Sequence, residues 1–120
     1  MDDEQSDLSL GELLEAAADG LDGVTPGADD RGTTWSVGSV LFAALTGETA
    51  EFRLDPQVVR AALRTPDTAA SPRGPDWVAF RPAVIDDAAA DRAEAWFLSA
   101  ARRATGSRDS GDSGGARQTR

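Results

Sequence analysis

Five residues offer this chain its best chemistry: Arg73, Gly74, Trp77, Arg81 and Arg53. Arg73-Gly74 stands between Pro72 and Pro75, just ahead of Trp77-Val78-Ala79-Phe80. A guanidinium on a stiff loop can fork onto a carboxylate or phosphate, and glycine lets backbone amides approach the same anion. The two prolines remove two N–H donors that a phosphate cradle would use. Neither a Walker lysine nor a Gly-x-Gly-x-x-Gly run accompanies them. An anion contact and a structural turn are both open readings of Arg73. Trp77, Arg81 and Arg53 suit a protein interface or a single-strand stacking platform, where Trp and Arg are enriched. The alternative buries Trp77 against Trp96 and Phe97 and leaves Arg81 to pair with an acid at the rim.

The carboxylates offer less. Asp87 and Asp91, one helical turn apart, have the reach to share a hard cation, but N-capping by Asp86 or Asp87 is the cheaper explanation. No Asp-x-Asp-x-Asp-Gly loop occurs, and no metal site or cofactor is expected. Asp29-Asp30 falls in a predicted loop. Glu48 and Glu51 fall on adjacent hairpin positions, an unconvincing hydrolytic pair. The chain lacks His, Cys, Tyr and Lys altogether. Imidazole acid–base catalysis, thiolate nucleophiles, Schiff bases and His/Cys metal sites are thereby excluded. Carboxylate, hydroxyl and guanidinium chemistry are left, and a serine nucleophile would have no histidine base. Catalysis is not the expected role.

The elements that must position these residues follow from spacing. Ser9-Leu10-Gly11-Glu12 fits a capping box, and Leu10, Leu13, Leu14, Ala17 and Leu21 make the apolar stripe of a first helix. Gly20 and Gly23 stop it. Residues 24–33 predict a loop. Thr34 to Leu45 carries no charge and is apolar at alternate positions of both faces, which predicts one central strand. Thr46-Gly47-Glu48 predicts a tight turn into a return strand with Ala50, Phe52 and Leu54 inward and Glu51 and Arg53 outward. Asp55-Pro56 opens a second helix through Val58, Val59, Ala62 and Leu63. Residues 65–76, with three prolines, predict a loop, and Trp77 to Arg81 a third strand. A last helix starts at Ile85-Asp86-Asp87 and runs to about Ala104, packing through Ala89, Ala93, Trp96, Phe97 and Ala100. The expectation is an α+β fold: an antiparallel sheet of at least three strands backed by about three helices, forming one domain over 9–104. Residues 1–8 and 105–120 are too polar to order themselves and are expected to be disordered.

Charge is unevenly placed. The net charge is −9; residues 1–30 hold 10 acids and no Arg, and residues 31–120 hold 11 acids and all 12 Arg. The acidic first third repels phosphate backbones, so nucleic acid is a disfavoured partner. No apolar run approaches the ~20 residues that cross a bilayer, so no membrane partner is expected. The acidic start is unlike a signal peptide, and the expected location is the cytoplasm. The all-Arg basic complement fits the coding bias of a GC-rich genome.

With these elements in order, the chain resembles the MmcQ/YjbR-like proteins and the related small "luciferase domain" family. The residues that carry the resemblance are Gly38-Ser39-Val40-Leu41-Phe42-Ala43, Phe52-Arg53-Leu54-Asp55-Pro56, Trp77-Val78-Ala79-Phe80 and Trp96-Phe97-Leu98-Ser99. It covers residues 35–104. The resemblance implies an antiparallel sheet backed by helices, in a "double-wing" shape for which DNA binding has been suggested. Relatives often carry a Lys near the Gly-rich strand and a His before the Trp strand; here Ser39 and Pro72-Arg73-Gly74-Pro75 stand there. The "luciferase" label corresponds to no light-emitting chemistry in these residues. Two functional expectations follow. The first is a non-catalytic binding or adaptor module taking a protein or small anionic ligand on the outer sheet face and the 65–76 loop. The second is a double-wing nucleic-acid-binding protein.

Overall fold

The structure, a computed structural model, describes residues 9–117, with side chains to residue 106. The expected disorder at 1–8 and at the last three residues lies outside the described residues. The elements are α1 (Leu10–Asp19), β1 (Val24–Asp29), β2 (Gly32–Val37), β3 (Val40–Thr46), β4 (Thr49–Arg53), α2 (Pro56–Ala62), β5 (Thr68–Ala70), β6 (Trp77–Phe80) and α3 (Asp87–Arg117). Six antiparallel strands form one sheet in the order β1-β2-β3-β4-β6-β5, and the fold is α+β. No helix among the described residues is long and apolar enough to cross a membrane.

The predicted capping box is present: Glu12 N–H donates to Ser9 Oγ at 3.2 Å, and Ser9 N–H donates to Glu12 Oε1 at 3.0 Å. Asp55 caps α2 with Pro56 in its first turn, and Asp86 Oδ1 accepts the Ala89 N–H at 2.9 Å ahead of α3. Helix α3 lies on one face of the sheet, with α1 packed beside it. Phe97 meets Trp35 and Phe42 edge-on at 5.5 and 5.2 Å between ring centres, and Trp96 meets Phe80 at 5.2 Å. Edge-to-face pairs of this kind bring negative ring faces to positive edges and stabilise beyond simple burial. Among the described side chains the last buried residue of α3 is Ala104, but the helical backbone runs on to Arg117, beyond the end at about Ala104 expected for this helix.

Three further expectations need correction. Residues 24–33 are not a loop but β1 and the turn into β2. Pro26 and Gly27 hid the strand, and Pro is tolerated here because β1 is an edge. Asp29 Oδ1 closes the hairpin by accepting the Arg31 and Gly32 N–H groups at 2.8 and 3.0 Å. Gly32 is required: a Cβ there would lie 2.1 Å from the Leu45 carbonyl oxygen of β3.

Thr34 to Leu45 is likewise two strands rather than one. They reverse at Gly38-Ser39, where Gly38 takes φ 60, a left-handed value that favours glycine. Between Trp35↔Ala43 and Ser36↔Leu41, β3 uses one residue more than β2, so Phe42 is a bulge. The bulge lets Phe42 join Trp35 against Phe97, which is why both parities of the stretch read as apolar. Finally, the 65–76 loop contains the short edge strand β5.

Candidate functional site

In an antiparallel ladder, directly paired residues share a face. The register Ala43↔Phe52↔Val78 therefore lies toward α3, and Ala44↔Glu51↔Ala79 and Arg53↔Trp77 lie on the opposite, open face. The outward placement of Glu51 and Arg53 is as predicted. Their surroundings are not. Glu51 is only 2 % exposed, although the alternation marked its face as wet.

The segment from Ser71 to Asp76 explains the burial by folding across that face. Glu51 Oε1 accepts from Arg73 Nε at 2.7 Å and from Thr46 Oγ1 at 3.3 Å, and Oε2 accepts from Ser71 Oγ at 2.8 Å. Arg31 Nη2 stands 3.7 Å from Oε2. The Arg73 guanidinium continues to Asp29 Oδ2 at 3.2 Å and lies 5.5 Å from the centre of the Trp77 ring. One side chain thus ties the β1–β2 turn, β4 and the loop before β6 together. A buried carboxylate is tolerable when it is paired and its lone pairs are filled, and Glu51 meets both conditions.

The ionisation balance agrees with the geometry. Burial pushes the Glu51 carboxyl up, but the bonds from Arg73 and Ser71 and the charges of Arg73 and Arg31 outweigh it and hold Glu51 below its ordinary value. Asp29 is also held low: the bond from the Arg31 N–H leads, desolvation opposes it, and the bond and charge of Arg73 with the Gly32 N–H tip the balance downward. Burial would lower Arg73, yet the bonds and charges of Glu51 and Asp29 raise it above the ordinary guanidinium value.

Four of the five candidate residues meet. Arg53, Arg73, Gly74 and Trp77 line one groove of about 470 Å³, together with Leu41 and Asp76. Arg81 is not among them. It lies at the other end of β6, where its side chain is 69 % exposed and stands 4.0 Å from Glu48 of the β3–β4 turn. The suggested Glu48–Glu51 pair is likewise not brought together, since Glu48 points to solvent with Arg81 and Glu51 is buried under Arg73. Trp77 is buried, but not against Trp96 and Phe97, whose ring partners are Phe52, Phe80, Trp35 and Phe42. Its cover is the Arg73 side chain.

The local bonds show what Arg73 already holds. Its N–H donates to Ser71 Oγ, the Gly74 N–H to the Ser71 carbonyl, and the Trp77 N–H to the Gly74 carbonyl, at 3.1, 3.4 and 3.1 Å. The Arg73, Gly74 and Trp77 amides are thus spent inside the turn, and the guanidinium is held by two carboxylates. Arg73 is a latch over the open face. The more available cation in the groove is Arg53, whose Nε stands 3.6 Å from Asp76 Oδ2; Arg103 of α3 reaches the same oxygen at 3.4 Å. Sequence reasoning missed Glu51, Ser71, Asp29, Asp76 and Arg103 as members of the site. Their partners lie 20 to 44 residues away in the chain for the bonds to Arg73, Ser71 and Arg103, and no local spacing signals such pairs.

No family model, curated protein or solved structure matches this chain.

Proposed function

We propose that the protein is a small non-catalytic binding module that takes an acidic partner, a protein segment or small anionic ligand, in the groove between β3, β4 and the 73–77 segment. The observation that carries this reading is the convergence of Arg53, Arg73, Gly74 and Trp77 on one groove from positions 53 to 77 of the chain. An indole with guanidiniums around it suits partner recognition, where Trp and Arg dominate binding energy. The absence of His, Cys, Tyr and Lys from the whole chain leaves few groups for catalysis. A relation to the YjbR-like and "luciferase domain" proteins belongs to the same proposal; it rests on the short apolar motifs around Gly38, Pro56, Trp77 and Trp96. The double-wing nucleic-acid reading draws less support. Glu51 and Asp29 neutralise Arg73, and Asp76 lies between Arg53 and Arg103, so the excess is about one positive charge, enough for a single carboxylate and too small a basic face for a phosphate backbone.

The test is amide NMR of the labelled protein during titration with an acetylated, amidated hexaglutamate peptide. Shifts are expected at Arg53, Gly74 and the Trp77 indole, lost in Arg53→Ala and kept in Arg81→Ala. Unmoved resonances at those positions up to ~1 mM peptide, a weak affinity, would remove the reading.

A further inference from the structure

The two cations that meet on Asp76 are poorly used by it. Arg53 Nε and Arg103 Nη2 come from different elements, β4 and α3, yet both stand on the single oxygen Oδ2, at 3.6 and 3.4 Å. Good guanidinium–carboxylate bonds are 2.7–2.9 Å long and are often forked, one N–H to each oxygen. Arg73 on Glu51, at 2.7 Å within the same site, is a bond of that quality. The Asp76 contacts are both longer than this. Two positive charges also face one negative charge, which leaves an excess of one.

Resting on the binding-module reading, we infer that Arg53 and Arg103 form a carboxylate clamp and that Asp76 is its internal occupant. The external ligand is an acidic side chain, Asp or Glu, of a partner protein segment that lies along the groove and reaches its rim at Asp76, where Arg103 comes in from α3 without lining the groove itself. The groove favours a segment over a small molecule because Ser39 and Pro75 on its lining are exposed, so a chain can pass over the rim. Small molecules prefer enclosed pockets that bury most of their surface. An incoming carboxylate can offer one oxygen to each guanidinium, which Asp76 does not do. Displacement of Asp76 costs little, since its side chain is 30 % exposed and partly exposed ion pairs are weak. The backbone need not move. The Asp76 carbonyl stays bonded to the Leu54 N–H at 2.8 Å whatever its side chain does.

Asp76 thereby has the opposite role from an ordinary groove residue: removing it strengthens binding. If Asp76 occupies the clamp about nine-tenths of the time, apparent affinity is reduced about tenfold. The experiment measures affinity for the hexaglutamate peptide in the wild type, Asp76→Asn, Arg103→Ala and Arg53→Ala, with urea midpoints to confirm that each is folded. Expected are an approximately tenfold tighter Kd for Asp76→Asn and loss of at least about tenfold in each arginine variant. Wild-type binding that Asp76→Asn leaves unchanged or weakens overturns the clamp and leaves the binding module standing. Binding by neither wild type nor Asp76→Asn overturns both. Inorganic phosphate is the second probe: if it binds the clamp as tightly as the peptide, the assignment to a protein segment is wrong.

Discussion

Replacing Arg73 by alanine isolates what holds the open face of the sheet together. The substitution removes the 2.7 Å bond to Glu51, the 3.2 Å bond to Asp29 and the cover over Trp77. Breaking one partner of a buried ion pair costs about 3–5 kcal/mol, because a charge is left in a poorly solvated place. Two features pull this case toward the lower end. Arg31 remains 3.7 Å from Glu51, and the Ser71 and Thr46 hydroxyls still donate to it. Loss of the Arg73 side chain also opens the carboxylate to water. The expected cost is therefore about 3 kcal/mol. At a urea dependence of about 1–3 kcal/mol per molar, that moves the midpoint down by roughly 1–3 M. Urea unfolding read by tryptophan fluorescence is the assay, since Trp77 lies directly beneath the removed group. A double-mutant cycle with Glu51→Gln sharpens it: the two changes should couple by about 1–3 kcal/mol, because the second removes the charge the first leaves stranded. A cost below about 0.5 kcal/mol, the size of an ordinary surface substitution, refutes the latch. So does simple additivity in the cycle.

Two further outcomes follow from the same geometry. Glu51 and Asp29 both titrate below their ordinary values when folded, so their stabilisation is complete above about Glu51's ordinary value of 4.5 and is lost as pH falls through the lower folded values. Urea midpoints measured on acidification below 4.5 should drop in the wild type and drop less in Glu51→Gln; equal slopes in the two proteins contradict the assignment. Gly32→Ala places a Cβ 2.1 Å from the Leu45 carbonyl at φ 149, and a loss of at least about 2 kcal/mol is expected from the backbone strain and forced displacement, measured by thermal unfolding. A Tm within a degree or so of wild type means the β1–β2 turn relaxes freely, at the several degrees per kcal/mol expected for a domain this size.

Local signals carried most of the architecture. The Ser9 capping box, the Gly47 turn, the Asp55-Pro56 start of α2, the Trp77 strand and the packing stripe from Ala89 to Ala104 are each written within a few neighbouring residues. The misreadings share a cause. β1 earns strand geometry from its ladder to β2 despite Pro26 and Gly27, and β5 is three residues long, so neither has a pattern of its own. The Gly38 reversal was hidden because strands on both sides of it send large apolar residues to the same helix. For the site, alternation placed Glu51 on the right face and gave the wrong solvent exposure. What buries Glu51 is a loop twenty residues further on, and burial imposed from outside a segment leaves no trace in that segment's periodicity.

Pro26 in β1 also bears on how another chain can approach this protein. A bare sheet edge invites a visiting strand, whose backbone bonds to the unpaired N–H and C=O groups. Here the β1 edge has a proline, without an N–H, near its middle, and the β5 edge extends for only three residues. Neither margin can template a long added strand. Recognition by strand addition is closed at both ends of the sheet, and so is edge-to-edge stacking of one copy on the next, which directs partners to the side-chain surfaces instead.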